Sequence, residues 1–92
     1  MITINFPELN QIVTFDGMVL EIFYGTKSQR IHVEHIQSIQ IRTDRHGEHT
    51  LHVGTVVGEV TYIPFEEKFY PKVAEFVAAV QSEIESGNHS GG

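Results

Sequence analysis

Along the first two-thirds of the chain, apolar and polar residues alternate; along the last third, apolar residues recur every three or four positions. From Phe69 onward, Phe69, Val73, Phe76, Val77, Val80 and Ile84 are separated by four, three, one, three and four residues. That 3.6-residue period lays them in one stripe along a helix. Upstream of Pro64 the period is two, with turn residues between the runs, which predicts short strands. A lone helix with one apolar face needs a surface to cover, and a sheet of such strands supplies it.

The strands are read as follows. Met1–Phe6 alternates Ile2, Ile4 and Phe6 with Thr3 and Asn5, and forms a strand or extended arm over residues 1–9 that Pro7 ends. Gln11–Phe15 and Met18–Tyr24 flank Asp16-Gly17, a dipeptide suited to a two-residue hairpin because both positions tolerate positive φ. Gly25–Gln29 is a connecting loop, Arg30–Val33 a short strand, and Glu34-His35 a bend before the longer run Gln37–Thr43. A turn near Val57-Gly58 leads into Glu59–Ile63, which Pro64 closes. The helix is expected from about Pro71 to Ser86, with a preceding turn over Glu66–Tyr70; Gly87 stops it and a mobile tail follows.

One hairpin allows its register to be derived. With Arg45-His46-Gly47 as a three-residue loop, Asp44 faces Glu48, Thr43 faces His49, Ile41 faces Leu51 and Ile39 faces Val53. Both apolar pairs then share a face. A two-residue loop at Arg45-His46 would set Ile41 against Thr50 and Leu51 against Gln40, burying polar groups. Gly47 also stands where the longer loop needs a left-handed residue. The expected core is Leu20, Ile22, Ile31, Val33, Ile39, Ile41, Leu51, Val53, Val60, Tyr62, Phe69, Val73, Phe76, Val77 and Val80.

The 92 residues suffice for one domain, spanning 1–86, with no internal repeat. There is no cysteine, which excludes disulfides, thiolate metal sites and a cysteine nucleophile. No stretch approaches the roughly 18 apolar residues of a membrane span, and the N-terminus lacks the pattern of a signal peptide, so a soluble cytoplasmic protein is expected. The net charge is −6, and the six bases (Lys27, Arg30, Arg42, Arg45, Lys68, Lys72) are scattered. Nucleic acid and anionic membranes need a basic face that displaces counterions, so neither is an expected partner.

The run Arg30-Ile-His-Val-Glu-His-Ile-Gln-Ser-Ile-Gln-Ile-Arg42, with its short strand, bend and longer strand, resembles the middle of small bacterial pleckstrin-homology-like (PH-like) domains. Val73-Ala-Glu-Phe-Val-Ala-Ala-Val80 resembles their terminal helix, and the likeness of pattern covers about residues 10–86. It implies a mainly β fold of about six or seven antiparallel strands in a partly open barrel or roll, capped by the C-terminal helix. Phosphoinositide-binding members carry basic residues around the first hairpin loop, whereas Phe15-Asp16-Gly17-Met18 is acidic and apolar. The resemblance therefore implies a scaffold that binds proteins or peptides.

Candidate chemistry is sparse. His46, His49 and His52 recur every third residue, which on a strand places neighbours on opposite faces. His49 is expected toward the core near the hairpin mouth and His52 outward beside Gln40. A zinc site needs three or four convergent ligands, and this spacing offers none, so no metal or cofactor is assigned; histidine-based metal binding is kept as an alternative to test. Asp44 with Glu48 sits at a hairpin tip rather than in a cleft, and Ser28, Ser38 and Thr55 lack a strand-to-helix elbow, so no enzyme is expected. Lys27 and Arg30 could share a loop and bind a small anion or lipid headgroup.

In the first hairpin Val13, Phe15, Leu20, Ile22 and Tyr24 form an inner set, leaving Ile12, Val19 and Phe23 outward with Thr14 and Glu21. Exposed contiguous apolar residues mark an interface unless the N-terminal arm folds over them. The leading expectation is a non-catalytic binding or assembly module. It meets a protein or peptide partner, or a second copy of itself, through Ile12, Val19 and Phe23, or along an open strand edge.

Overall fold

The structure, a computed structural model, describes residues 1–90, with side chains to residue 86. Among the described residues seven strands form two antiparallel meanders that a single α-helix follows. The first sheet is β1 (Ile2–Phe6), β2 (Gln11–Phe15), β3 (Val19–Tyr24) and β4 (Lys27–His32), hydrogen-bonded in that order. The second is β5 (Ile36–Thr43), β6 (His49–Thr55) and β7 (Val60–Phe65), and α1 (Tyr70–Ser90) follows a 3-10 turn at Glu67–Phe69. Among the described residues no ladder joins the two sheets, so the fold is an open roll rather than a closed barrel. The helix rests on β5, on β1, and on the 3-10 turn Val33–His35 that links the sheets.

The apolar faces meet in one core. Ile4, Phe6, Val13, Phe15, Leu20, Ile22 and Ile31 come from the first sheet, and Ile36, Ile39, Leu51, Val53, Ile63 and Phe65 from the second. The helix adds Val73, Phe76, Val77 and Val80, the stripe expected from its period. Phe76 meets Phe15 edge-on, with ring centroids 6.3 Å apart. At the far end Phe6 packs edge-on against Phe69 at 5.1 Å. Gln81 Nε2 donates to the Ile39 carbonyl across 2.9 Å, tying the helix to the outer edge of β5.

The β5–β6 hairpin has the derived register: Thr43 faces His49, Ile41 faces Leu51 and Ile39 faces Val53. Gly47 takes φ +81° and its N–H donates to the Asp44 carbonyl at 3.0 Å. Asp44 Oδ1 accepts from the N–H groups of His46 and Glu48 at 2.8 and 3.0 Å, which closes the loop. The β6–β7 turn repeats this plan. Thr55 and Glu59 bracket Val56-Val57-Gly58, Gly58 has φ +92°, and its N–H donates to the Thr55 carbonyl at 3.0 Å.

Several expectations are corrected. The first hairpin turns at Gly17-Met18, one residue later than Asp16-Gly17, because Phe15 pairs with Leu20 and the Asp16 N–H donates to the Val19 carbonyl. Asp16 instead caps the turn, its Oδ1 accepting from the N–H groups of Met18 and Val19 at 2.8 Å each. The pairing moves by two residues, so every side chain keeps its face. β4 begins at Lys27, and the loop before it is only Gly25-Thr26.

Val60 and Tyr62 are exposed, and Ile63 and Phe65 are buried in their place. The strand runs through Pro64, which lies on an edge where its missing N–H breaks no ladder bond. Val33, Ile41 and Phe69 are half-buried against the core. The helix passes Gly87 and reaches Ser90, since glycine weakens a helix without forbidding it; of the tail expected to be mobile, Gly91 and Gly92 lie outside the described residues.

Candidate functional site

The outer face of the first sheet begins with the period-two alternation. Once Val13, Phe15, Leu20 and Ile22 enter the core, Ile12, Thr14, Val19, Glu21 and Phe23 must face away. The ladder then sets Ile12 directly opposite Phe23, with residue exposures of 38% and 37%. Asn5 lies beyond Ile12 and Ser28 beyond Phe23, which frames the pair with small polar groups. The N-terminal segment adds to the edge of β2 as β1 and sends Ile4 and Phe6 into the core, so it does not fold over this face. The helix lies against β5 and β1 on the opposite side.

Val19 stands apart from the other two. It is half-buried, pairs with His32, and is separated from Phe23 along β3 by Glu21. At roughly 3.3 Å per residue, the two Cα atoms are about 13 Å apart. Arg30, opposite Glu21, places its Nε 3.8 Å from the Glu21 carboxylate. With the guanidinium side chain 68% exposed, this pair anchors little on its own. The face is thus an Ile12–Phe23 apolar centre, a charged pair beside it, and Val19 at the turn end.

Lys27 and Arg30 do not meet. Both belong to β4, three residues apart, and so point to opposite faces of the sheet. Arg30 faces outward with Ser28, while Lys27 sits opposite Tyr24 at the strand's start. The loop pocket expected for a small anion is therefore not formed by these two residues.

The histidines scatter as their spacing requires. His49 is buried beside Thr43, its Nδ1 hydrogen-bonded with the Thr43 hydroxyl at 2.7 Å and its Nε2 with the Glu67 carboxylate. Phe65 stacks on the ring at 5.4 Å and Tyr70 meets it edge-on at 4.9 Å. His49 thereby links the β5–β6 hairpin to the start of the helix. His52 points outward and meets Tyr62 edge-on at 4.6 Å; its pKa is lowered by burial and then by the charge of Arg42. His32 and His35 lie 6.2 Å apart by ring centroid. Among the described residues no three His, Cys, Asp or Glu side chains converge on a point where a metal ion would sit.

A cavity of about 490 Å³ opens between the end of β1, the β5–β6 turn and the end of β7. Phe6, Phe65 and Phe69 line it, and Glu8, Glu48 and Glu66 stand around it. Facing Glu66, the Glu8 carboxyl is raised above the ordinary glutamate value of 4.5, by hydrogen bonding to Glu66 and then by its charge, while the same hydrogen bonding lowers Glu66. These carboxyls are solvated.

A second apolar surface escaped the sequence reading. Val56, Val57, Val60 and Tyr62 are all exposed along the β6–β7 turn and β7, Val60 at 47% and Tyr62 at 59%. The missed signal was Gly58, which occupies the same place in its turn as Gly47. Pairing Thr55 with Glu59 by analogy with Asp44 and Glu48 sets Leu51 opposite Ile63 and turns Tyr62 outward.

No family model, curated protein or solved structure matches the chain. Among the described residues no helix is long and apolar enough to cross a membrane.

Proposed function

We propose that this protein is a non-catalytic recognition module of PH-like type whose outer first-sheet face receives the apolar side chains of a protein partner. The observation that carries this reading is the direct opposition of Ile12 and Phe23, two large apolar residues left in solvent on a rigid ladder. Fully covering such side chains contributes roughly 1.5–3 kcal/mol each, and with Ile12 and Phe23 38% and 37% exposed little more than a third of that remains to be gained. Two residues give only a small centre, so the surrounding Asn5, Ser28 and the Glu21–Arg30 pair must supply a polar rim. A reversible contact is the consequence, not an obligate one. The absence of a basic face on the outer sheet, where Arg30 already has Glu21, argues against a lipid headgroup as the ligand.

Photo-crosslinking tests the reading. With Phe23 replaced by the photoreactive benzoyl-phenylalanine, irradiation in cells yields a discrete adduct with one protein, or with a second copy of this chain. The same probe at Thr26, in the β3–β4 turn, yields none. Equal, diffuse labelling from both positions would refute a docking face at Phe23.

A further inference from the structure

The free edge of β7 has the hydrogen-bonding groups, the composition and the flanking charge of a strand-addition site. The Thr55 N–H donates to the Glu59 carbonyl at 2.8 Å, which makes Thr55–Glu59 a closely bonded pair. Bonded and non-bonded pairs alternate along an antiparallel ladder. Thr61, Ile63 and Phe65 therefore direct their main-chain groups at β6, and Val60, Tyr62 and Pro64 direct theirs away from it. Pro64 occurs at an outward position, where no N–H is required. Among the described residues no main-chain group bonds to the outward amides of Val60 and Tyr62.

The other edge of the same sheet is treated differently. On β5 the Ile39 carbonyl is capped by Gln81 and the helix lies alongside. Edge strands are ordinarily blunted by charge, by a bulge or by cover. Val60–Phe65 contains no charged residue, and Val60, Tyr62 and neighbouring Val57 offer exposed apolar side chains to whatever lies beside them. Acids flank the strand at both ends, Glu59 before it and Glu66 after it; Glu66 lies 3.6 Å from the solvent-exposed Lys68 ammonium, so Glu59 is the stronger of the two attractions.

These acids select the occupant. A second copy pairing antiparallel about Tyr62 would set Glu59 of each chain opposite Phe65 of the other, one position from Glu66, so acids would gather at both ends of the pairing and weaken it. We propose that β7 accepts an extended segment of a different protein as a fourth strand of the second sheet. That segment is apolar at alternate positions, to lie along Val60 and Tyr62, and carries basic residues at both ends to meet Glu59 and Glu66. Main-chain bonds supply affinity and the flanking charges supply selection, as in other β-augmentation. This edge is separate from the Ile12–Phe23 face and stands or falls independently of it.

The test uses a capped synthetic peptide that alternates valine and threonine between paired terminal lysines. It is titrated into the isotope-labelled full chain while amide hydrogen exchange is followed by NMR. At saturation the Val60 and Tyr62 amides slow by about tenfold or more, roughly the effect of gaining one hydrogen bond. Replacing the lysines by glutamates weakens binding by about tenfold at low salt, and the difference shrinks as salt is added. A peptide N-methylated at alternate positions does not bind. Val60→Pro removes an outward N–H without removing a ladder bond, so the variant melts cooperatively and loses the peptide. The proposal is overturned if the lysine peptide fails to bind at millimolar concentration, or if the N-methylated peptide binds as well as its parent. Binding that leaves Val60 and Tyr62 exchange unchanged overturns it too.

Discussion

Truncating Ile63 and truncating its neighbour Tyr62 probe the same strand from opposite faces. Ile63 is 1% exposed and packs in the common core opposite Leu51, whereas Tyr62 is 59% exposed. Ile63→Ala removes apolar contacts from a closed site and leaves a cavity, a change that costs about 2–5 kcal/mol; about 3 is expected where β7, as an edge strand, can relax inward. Tyr62→Ala loses chiefly its edge-on contact with His52, whose centroid lies 4.6 Å away. Such contacts contribute about 0.5–1.5 kcal/mol, and solvent keeps this one at the low end. A domain of this length has roughly 5–14 kcal/mol of stability in total, so both variants remain folded enough to measure. In urea the midpoint of Ile63→Ala falls steeply with an unchanged slope, while that of Tyr62→Ala moves little. On heating, about 3 kcal/mol lowers Tm by roughly 12–24 °C. If Tyr62→Ala costs as much as Ile63→Ala, the phase of β7 is wrong and the exposed apolar edge does not exist.

Three further outcomes follow from single residues. Gly47→Ala meets no atom within 4 Å but must hold φ +81°, so it destabilises by about 1 kcal/mol, measurable by urea denaturation, and Gly47→Asn by less. His49→Ala removes the bonds to Thr43 and Glu67 together with the packing on Phe65 and Tyr70; a loss of about 2 kcal/mol is expected, with faster amide exchange in the first turn of α1. The Asp16 carboxyl lies below its ordinary 3.8 because the N–H groups of Val19 and then Met18 favour the ionised form. A lowered folded value stabilises the fold above the unfolded value and loses that contribution as pH falls through the folded one, so acid should loosen the first turn. Asp16→Asn removes this part of the acid dependence of Tm; an unchanged acid limb would refute it.

Legibility in the sequence followed how many independent constraints met at each residue. The β5–β6 hairpin was derivable because a turn glycine, two apolar pairs and the polarity of the rejected register all agreed. The helix stripe was legible for the same reason, each of its positions repeating one period. The outer set Ile12, Val19 and Phe23 survived a misplaced turn, since a shift of two residues preserves faces.

β7 failed because Val60 and Tyr62 alternate as well as Ile63 and Phe65 do, and Pro64 concealed the second pair by resembling a terminator. Only the Gly58 turn distinguishes the two phases. Which surface is used was least legible. Proximity of Lys27 and Arg30 in sequence suggested a shared pocket that strand geometry forbids, and the spacing of Val19 from Phe23 depends on the outward Glu21 lying between them. The three-dimensional meeting of Ile12 with Phe23 required the ladder, which local periodicity does not contain.

Affinity capture from the source cell, comparing wild type with a Val19→Asp/Phe23→Ser variant, tests the central claim most directly. Both substitutions lie on the outer face, so circular dichroism and a cooperative melt should show the variant folded. The recognition account predicts a stoichiometric protein recovered with wild type and lost with the folded variant; undiminished recovery with that variant would contradict it.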